Sequence, residues 1–216
     1  MTTDVLTNLR TLGTPALSDA MDRLGIPCQC AGIVPLDRSF SFAGTAFTVK
    51  YKDAEPGQNV GDFIDDIDAG QVAVIDNAGR LDATVWGDLM TTVAKRRGIA
   101  GTVIDGICRD LDRALDVDYP LFSCGHWMRT GKDRVTVEAL NVPVSIGGIT
   151  VNPGDYLRGD VNGVVAIPAD RVGEVIAVTV EIENAEAAIR AEILKGADLR
   201  EARARAGYHH LQTRRS

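Results

Sequence analysis

The fold that this sequence predicts is decided by two short apolar runs, Val72-Ala73-Val74-Ile75 and Gly101-Thr102-Val103-Ile104. Both runs are rich in β-branched residues, which is typical of buried strands. The segment between them has apolar residues at helical spacing, namely Leu89, Met90, Val93 and Ala94. Gly98 then follows three basic residues, as the glycine after a helix C-terminus often does. The pattern predicts a βαβ unit with parallel strands and a right-handed crossover.

The start of this helix and the end of the second strand carry the residues most suited to chemistry. Because ligands collect beyond the carboxyl ends of parallel strands, we expect Gly87 and the pair Arg109-Asp110 to lie around one point. A helix start leaves unpaired N–H groups that suit a carboxylate or phosphate, and a guanidinium matches a carboxylate bidentately. Asp88 and Asp110 offer the oxygen ligands that Mg²⁺ or Mn²⁺ accepts. The alternative is a helix-terminal charge at Asp88 beside an ordinary surface ion pair.

Other segments of the chain predict a mixed α/β fold. Asn77, Gly79 and Asp82 predict that the first strand passes into a loop after Ile75. Helices are expected over residues 14–24, ended by Gly25, and over 169–194 and 198–206. Further strands are expected over residues 33–35, 40–51, 120–122, 135–137, 142–146, 149–151 and 163–167, the later ones as antiparallel hairpins. We expect one domain, with a core over 1–168, C-terminal helices over 169–206 and a flexible tail over 207–216.

Several segments together resemble one known family in their order and spacing. They are Leu17–Gly25, Gly44–Val49, Trp86–Leu89, Arg97–Gly101, Val103–Gly106 with Arg109-Asp110, Pro153–Asp155, Gly159-Asp160 and Gly163–Pro168. The family is the RraA-like family, which includes the regulator of ribonuclease E activity A. It also includes the metal-dependent 4-hydroxy-4-methyl-2-oxoglutarate (HMG) and 4-carboxy-4-hydroxy-2-oxoadipate (CHA) aldolases. The resemblance covers most of the chain and implies a swivelling β/β/α domain with a C-terminal helical arm, assembled as a homotrimer or a dimer of trimers.

The resemblance also implies a role for each residue at a matching position. Backbone amides would hold the carboxylate of a pyruvate-like group, and they belong to Gly87, Asp88, Leu89 and Met90. Arg109 would bind the same 2-oxo acid and steady its developing enolate. Asp110 would be the one direct protein ligand of Mg²⁺ or Mn²⁺, with waters completing the shell, and Asp88 would hold a metal-bound water.

A glutamate of the C-terminal helix is expected to approach the site of a neighbouring subunit, again by resemblance. Glu186 is the best match and Glu192 the second choice. The alternative is a solvated helix face, because Glu181 and Glu183 crowd the same helix. A site shared in this way would make the oligomer necessary for activity.

The resemblance therefore implies a metal-dependent lyase that cleaves a 4-hydroxy-2-oxo dicarboxylic acid of the HMG or CHA type to pyruvate, and the residue types are consistent with that chemistry. Cleavage leaves the pyruvate enolate, and a divalent metal acts as a Lewis acid for that charge. Loss of CO₂ from oxaloacetate gives the same enolate, so we expect oxaloacetate decarboxylase side activity. The Schiff-base route needs a lysine with a lowered pKa, and Lys50 and Lys52 fit a polar strand face better. Two alternatives are a non-catalytic regulator of a ribonuclease E-like partner and, much weaker, a menaquinone methyltransferase.

Composition excludes several other classes of protein. The 216 residues are 45% hydrophobic and 25% charged, as in ordinary soluble domains, and carry a net charge of −7. That charge argues against nucleic-acid partners and against an anionic membrane surface. No apolar run approaches the length that spans a bilayer. Residues 1–10 lack a basic stretch followed by an apolar run, so we expect a cytoplasmic protein. The partner that the resemblance implies is a small 2-oxo acid.

The remaining metal-binding and nucleophilic residue types give little support for other chemistry. Cys28 and Cys30 lack the second pair of ligands that a zinc site needs. Cys108 follows a buried strand and is interpreted as a packing residue, although Arg109 is a mildly activating neighbour. His209-His210 is expected to lie in the tail. The loop over residues 128–134 carries three cations that either reach the second carboxylate of a substrate or pair within the loop.

Overall fold

A computed structural model describes residues 2–206, and these form two compact units. One unit comprises the chain up to Cys28 and the chain from Asp170 onward, and the other runs from Gln29 to Ala169. The helices are α1 (Thr2–Thr11), α2 (Thr14–Leu24), α3 (Asp88–Arg97), α4 (Leu111–Asp116), α5 (Val172–Leu194) and α6 (Leu199–Arg205). The strands are β1 (Val34–Pro35), β2 (Phe42–Asp53), β3 (Gln71–Thr84), β4 (Gly101–Cys108), β5 (Leu121–His126), β6 (Val135–Leu140), β7 (Val144–Ile146), β8 (Ile149–Val151), β9 (Tyr156–Asp160) and β10 (Gly163–Ile167).

The larger unit is built on a mixed sheet of eight strands, in agreement with the predicted α/β class. Its order is β1-β5-β4-β3-β2-β9-β10, and β6 also pairs with β2. The pairs β2–β3, β3–β4 and β4–β5 are parallel, whereas the pairs at the sheet edges are antiparallel. β7 and β8 form a separate antiparallel hairpin. The predicted parallel pair is therefore confirmed, with Val72 opposite Gly101 and Ile75 opposite Ile104.

The two apolar runs lie at the centre of the core. Residues Val72 to Ile75 of β3 are fully buried, and so are Val103 and Ile104 of β4. Central parallel strands are covered on both faces, which is why these runs are continuously apolar rather than alternating. The rings of Phe42 and Phe122 meet edge to face at 5.0 Å within this core.

The predicted end of the first strand after Ile75 is wrong. β3 continues to Thr84, and its pairing with β4 resumes after irregularities, with Arg80 opposite Gly106 and Thr84 opposite Ile107. Ala78 and Gly79 both have positive φ, so the turn residues make a bulge in the strand instead of a loop. β4 likewise runs on to Cys108. This extension carries both strands to the residues that the sequence singles out for chemistry.

Most other predicted elements are confirmed, and three elements were missed. α2 and α3 end where predicted, because Gly25 and Gly98 adopt the left-handed conformation after each helix, and α5 and α6 lie within their predicted ranges. α1 was not predicted although Val5, Leu6 and Leu9 recur at helical spacing, α4 has only six residues, and no strand was predicted over β9. In β9 the buried guanidinium of Arg158 donates to the Ser41 hydroxyl and the Phe42 carbonyl, which explains a cation inside a strand.

The smaller unit is helical in the residues that the structure describes. α2 packs on α5, and the buried guanidinium of Arg23 donates two hydrogen bonds to the Glu181 carboxylate, at 3.1 and 3.4 Å. Buried residues of α5 include Val175, Thr179 and Ile182. Among residues 2–206, no helix is long and apolar enough to cross a membrane.

Candidate active site

The site begins at the N-terminus of α3, where the chain leaves β3. Gly87 is the N-cap residue and has no side chain of its own to cap the helix. A Cβ atom at Gly87 would lie 2.8 Å from Oδ2 of Asp110 and 3.3 Å from Nε of Arg109. Only glycine leaves room for these two side chains against the helix start.

Arg109 and Asp110 leave the end of β4 and meet the helix start there. The Arg109 amide donates to the Trp86 carbonyl at 2.9 Å, which ties the end of β4 to the segment before α3. Oδ2 of Asp110 accepts a hydrogen bond from the Asp88 amide at 3.2 Å and lies 3.4 Å from Nε of Arg109. The predicted convergence of these residues is therefore confirmed. We call Gly87, Asp88, Arg109 and Asp110 the charged rim.

Asp110 is held in an uncommon backbone conformation. Its φ and ψ are 55° and 46°, a left-handed geometry that costs a non-glycine residue free energy, and it is the N-cap of α4. The side chains of Arg109 and Asp110 are 41% and 37% exposed, so water reaches both. Strained residues of this kind concentrate at functional sites, and this one directs a carboxylate toward the start of α3.

Two further backbone donors face the same region. The Leu89 and Met90 amides lie in the first turn of α3, where helix geometry provides no acceptor for them. Neither amide donates to a protein atom within residues 2–206, whereas the Asp88 amide is already used by Asp110. The positive end of the helix dipole adds to their attraction for an anion.

The charged rim lies between an apolar cavity and an acidic cleft. The cavity has a volume of about 350 Å³, and its apolar lining comes mainly from Val60, Ile64, Val85, Trp86, Met90 and Val93. Its polar side chains are Tyr51, Asp62, Thr84, Asp88, Arg109 and Thr130. The acidic cleft of about 430 Å³ is lined by Asp88, Arg109, Asp110, Asp112, Arg113 and Asp116. Asp88 and Arg109 line both spaces, so one bound molecule can contact the apolar lining and the carboxylates together.

The carboxylates of this cleft suit a hydrated divalent cation. Within residues 2–206 no three His, Cys, Asp or Glu side chains are arranged to enclose a metal ion together. Asp110 instead presents a water-accessible carboxylate beside the exposed Asp88. A single carboxylate with most positions left to water and substrate oxygens is the arrangement that Mg²⁺ commonly accepts. The residues present therefore fit the expected cofactor.

Glu186, the predicted catalytic glutamate, lies on α5 in the smaller unit. Within that unit it lines a small cleft of about 250 Å³ together with Ile189, Arg190, Ile193, Leu199 and Arg203. Glu192 is part of a surface ion-pair network with Lys195 and Arg205. The approach of either glutamate to a neighbouring subunit stays a prediction.

The structure disfavours the Schiff-base route. The Lys50 ammonium is half exposed and lies 2.8 Å from the Glu138 carboxylate, which raises the pKa of Lys50 above its ordinary value. A nucleophilic lysine needs the opposite shift.

Burial raises the pKa of the Cys108 thiol to about 12, in agreement with its interpretation as a packing residue. His209 and His210 lie outside the described residues.

The cationic loop contributes no charged side chain to the lining of the cavity. Thr130 and Gly131 line it, whereas the Arg134 guanidinium donates to the carbonyls of Thr130 and Lys132 in its own loop. Arg129 lies 4.0 Å from Asp82. Two alternatives were open for these cations, namely contact with a substrate carboxylate or pairing close to the loop. Arg129 and Arg134 follow the second.

Sequence reasoning missed the far side of the cavity. Tyr51 comes from β2, Asp62 from the loop after it, and Thr84 from the extended end of β3. These residues are scattered along the chain and form no local motif. The polar spacing of Lys50 and Lys52 in β2 was the one available signal, since it places Tyr51 on the opposite, buried face.

A comparison with protein-family models gives a match over residues 14–166 to the RraA-like family, described as Aldolase/RraA. The chain belongs to the RraA-like family. The matched range includes all four residues of the charged rim and the whole lining of the cavity. The family predicted from the sequence is therefore confirmed.

Individual relatives extend this RraA-like assignment. The chain is 39% identical to the protein DlpA of Legionella pneumophila over 204 residues, which is 93% of this chain but 33% of that protein, so the chain spans about a third of DlpA. It is 34% identical over 167 residues to a "Putative 4-hydroxy-4-methyl-2-oxoglutarate aldolase" of Halalkalibacterium halodurans, covering 76% of this chain and 77% of the relative. A crystal structure of an uncharacterized Pseudomonas syringae protein is 40% identical with a TM-score of 0.88, covering 93% of this chain and 97% of the other.

Proposed function

We propose that this RraA-like protein is a divalent-metal-dependent lyase that releases pyruvate from a 4-hydroxy-2-oxo acid of the HMG or CHA type. Oxaloacetate decarboxylation is the expected side activity. The observation that carries the proposal is the charged rim, where a guanidinium, a water-accessible carboxylate and unused helix N–H groups meet at the mouth of a cavity. The relatives named as HMG aldolases support the same reaction class.

Each part of a pyruvate-like group has a partner in this arrangement. The Leu89 and Met90 amides, at the positive end of α3, suit its carboxylate. Arg109 lies close enough to the same helix start to hold the substrate and to stabilise negative charge as the enolate forms. The apolar lining contributed by Met90 and Val93 suits the carbon skeleton.

Asp110 is the residue proposed to hold Mg²⁺ or Mn²⁺, and Asp88 would accept a hydrogen bond from a water of that ion. The bound cation would supply Lewis-acid stabilisation for negative charge on the 2-oxo oxygen. Arg109 beside Asp110 keeps the rim from accumulating uncompensated negative charge, because Asp112 and Asp116 line the same cleft. Expulsion of water by the apolar lining would strengthen these interactions.

The test is pyruvate release from HMG and from oxaloacetate, measured with Mg²⁺, with Mn²⁺ and with a chelator. We expect release from both acids that stops with the chelator and returns when metal is added. Asp110→Asn should lower kcat/KM by about a hundredfold or more, because an amide is a poor ligand for a hard cation. No release from either acid by the folded protein would contradict the proposal.

Asp116→Asn is the matched control for this experiment. Asp116 is exposed and lines the same acidic cleft, so its substitution makes the same change in net charge. It should change kcat/KM by less than about threefold, since exposed charges are strongly screened. Equal losses in Asp110→Asn and Asp116→Asn would point to a general electrostatic effect in place of a ligand at Asp110.

The regulator alternative has its own outcome in the same experiment. A folded protein that binds neither Mn²⁺ nor a 2-oxo acid and releases no pyruvate would favour a protein-binding role. Arg109 and the unused amides at the start of α3 meet at one cavity, and that observation favours the lyase.

A further inference from the structure

Tyr51 and Asp62 form a second polar region of the cavity, on the side contributed by β2 and the loop that follows it. β3 lies between β2 and β4 in the sheet, so this region is separated from the strand end that carries Arg109. We call Tyr51 and Asp62 the hydroxyl wall.

The Tyr51 hydroxyl opens into the cavity without a protein partner. The residue is only 5% exposed, and its ring packs edge to face on Phe63 at 6.4 Å. No hydrogen bond joins the hydroxyl to any residue in the described part of the chain. No side-chain polar atom there is both fully enclosed and unpaired, so this hydroxyl contacts the open space of the cavity. A buried side chain of this kind is available to a ligand.

Asp62 places an acceptor beside that donor. Burial and then the negative charge of Asp62 raise the pKa of Tyr51 well above its ordinary value, so the phenol stays a hydrogen-bond donor. Within residues 2–206 the Asp62 carboxylate takes part in no ion pair and accepts no hydrogen bond. A donor and an acceptor side by side match one substrate hydroxyl group, which both donates and accepts.

The two threonine hydroxyls that line the cavity each have a protein partner already. The Thr84 hydroxyl donates to the Arg129 carbonyl at 2.9 Å, and the Thr130 hydroxyl accepts from the Lys132 amide. Asp62 and Asp88 are the two carboxylates among the described residues that line the cavity, and Asp88 belongs to the charged rim. Asp62 is therefore the carboxylate left for the distal half of the substrate.

We infer that Asp62 is the general base that accepts the proton of the substrate's 4-hydroxyl group, while Tyr51 donates a hydrogen bond to the same oxygen. The inference rests on the proposed function, because it takes the pyruvate half to lie at the charged rim. A carboxylate within reach of the reacting hydroxyl is what the cleavage needs.

The proton and electron balance is complete without a further reactant. Asp62 takes the 4-hydroxyl proton, and the O–H electron pair forms the C4 carbonyl. The C3–C4 bond breaks, and its electron pair forms the enolate of pyruvate. Asp62 returns its proton to solvent, and C3 takes a proton from water. Oxaloacetate has no 4-hydroxyl, so its decarboxylation uses the charged rim without the base.

The experiment compares the two reactions in the same variants. Asp62→Asn should lower kcat for HMG cleavage by about a hundredfold, the usual scale of general base catalysis, and change decarboxylation by less than about threefold. Tyr51→Phe keeps the ring packing and should lower cleavage about tenfold. Asp62→Glu should recover part of the cleavage. Asp66→Asn, an exposed aspartate just after this loop that does not line the cavity, is the matched control.

Inhibition by oxalate, which mimics the pyruvate enolate, supplies a reading independent of the cleavage rate. Its inhibition constant against decarboxylation should be unchanged in Asp62→Asn, since the charged rim is intact. The inference would be overturned if Asp62→Asn lost both reactions equally or lost no cleavage. It would also be overturned if Glu186→Gln were the one variant with a selective loss of cleavage. A wild-type protein that releases pyruvate from neither acid would overturn the proposed function itself.

Discussion

The two polar regions of the cavity differ in how the chain builds them. The charged rim comes from two short sequence segments that follow β3 and β4, and its groups are tied together by hydrogen bonds. The hydroxyl wall comes from β2 and an irregular loop, and its polar groups have no partners within residues 2–206. The rim is therefore organised before a ligand arrives, whereas the two side chains of the hydroxyl wall have no hydrogen bond within residues 2–206 that fixes their positions.

This difference indicates a division of labour between the two regions. A preorganised set of positive groups suits the part of a reaction where negative charge develops, because no reorganisation is needed at that moment. A donor and acceptor without partners suit recognition of a neutral hydroxyl group. Changes in the rim should affect every pyruvate-forming reaction, and changes in the hydroxyl wall should affect cleavage alone.

The largest effect is expected from Arg109→Lys. Lysine keeps the charge but loses the planar fork that spans Asp110 and a substrate carboxylate. We expect kcat/KM for HMG and for oxaloacetate to fall together by about a hundredfold to a thousandfold. Steady-state kinetics with both acids measure this, and circular dichroism checks the fold. A loss of activity with HMG alone would contradict the proposed division of roles between the charged rim and the hydroxyl wall.

Gly87→Ala tests how tightly the rim is packed. The added methyl group would lie 2.8 Å from Oδ2 of Asp110, so that carboxylate has to move away from the Asp88 amide. A misplacement of about 1 Å costs about a hundredfold in rate, and we expect a loss of up to that size in both reactions. Gly173→Ala is the control, since a Cβ atom there meets nothing within 4 Å. Wild-type activity in Gly87→Ala would mean that the Asp110 position is not critical.

Glu186→Gln tests whether a residue that does not line the cavity also takes part in the reaction. If a neighbouring subunit supplies this glutamate, activity should fall about tenfold, within the usual range of a single polar contact. Glu183→Gln is a matched control on the same helix, although Glu183 also accepts a hydrogen bond from the Gly13 amide. Unchanged kinetics in Glu186→Gln would remove this residue from the site and leave both cavity regions as they stand.

The smallest effect concerns Cys108, the residue just before the rim. Burial raises the pKa of Cys108 and of Cys28 to about 12, compared with 9.0 for a free thiol. Because the folded-state pKa values are the higher ones, this stabilisation is complete below about pH 9 and is lost as the pH rises toward 12. Urea unfolding at pH 8 and pH 10 should show a lower free energy of unfolding at pH 10. A smaller pH effect in Cys108→Ala would assign part of it to this residue, and rapid alkylation of native Cys108 at pH 8 would contradict its burial.

The sequence was sufficient for the charged rim because its residues sit next to elements with strong local signals. The apolar runs of β3 and β4 predict parallel strands, and ligands bind beyond the ends of such strands. Gly98 marked the end of α3, and Gly87 and Asp88 lie at its start as expected. The roles of these residues came from the family resemblance and stay proposals.

The hydroxyl wall was beyond sequence reasoning for a physical reason. Tyr51 lies in a strand with no distinguishing motif, and Asp62 is one of several aspartates in an irregular segment. Tyr51 lies just beyond the β2–β3 pairing and is opposite Val137 of β6, so its place at the cavity depends on pairing between distant segments. The bulge at Ala78 and Gly79 was missed as well, because turn residues inside a strand look like a loop when pairing with β4 is unknown. Non-local pairing decided both features.

A crystal structure with Mn²⁺ and pyruvate tests the central claim most directly, because anomalous scattering locates the metal without any assumption about activity. We expect one manganese peak at the Asp110 carboxylate, with the pyruvate carboxylate on the Leu89 and Met90 amides and Arg109 in contact with the same molecule. The hydroxyl wall should remain without a pyruvate contact in that crystal. A manganese peak elsewhere, or pyruvate bound away from Arg109, would contradict the account.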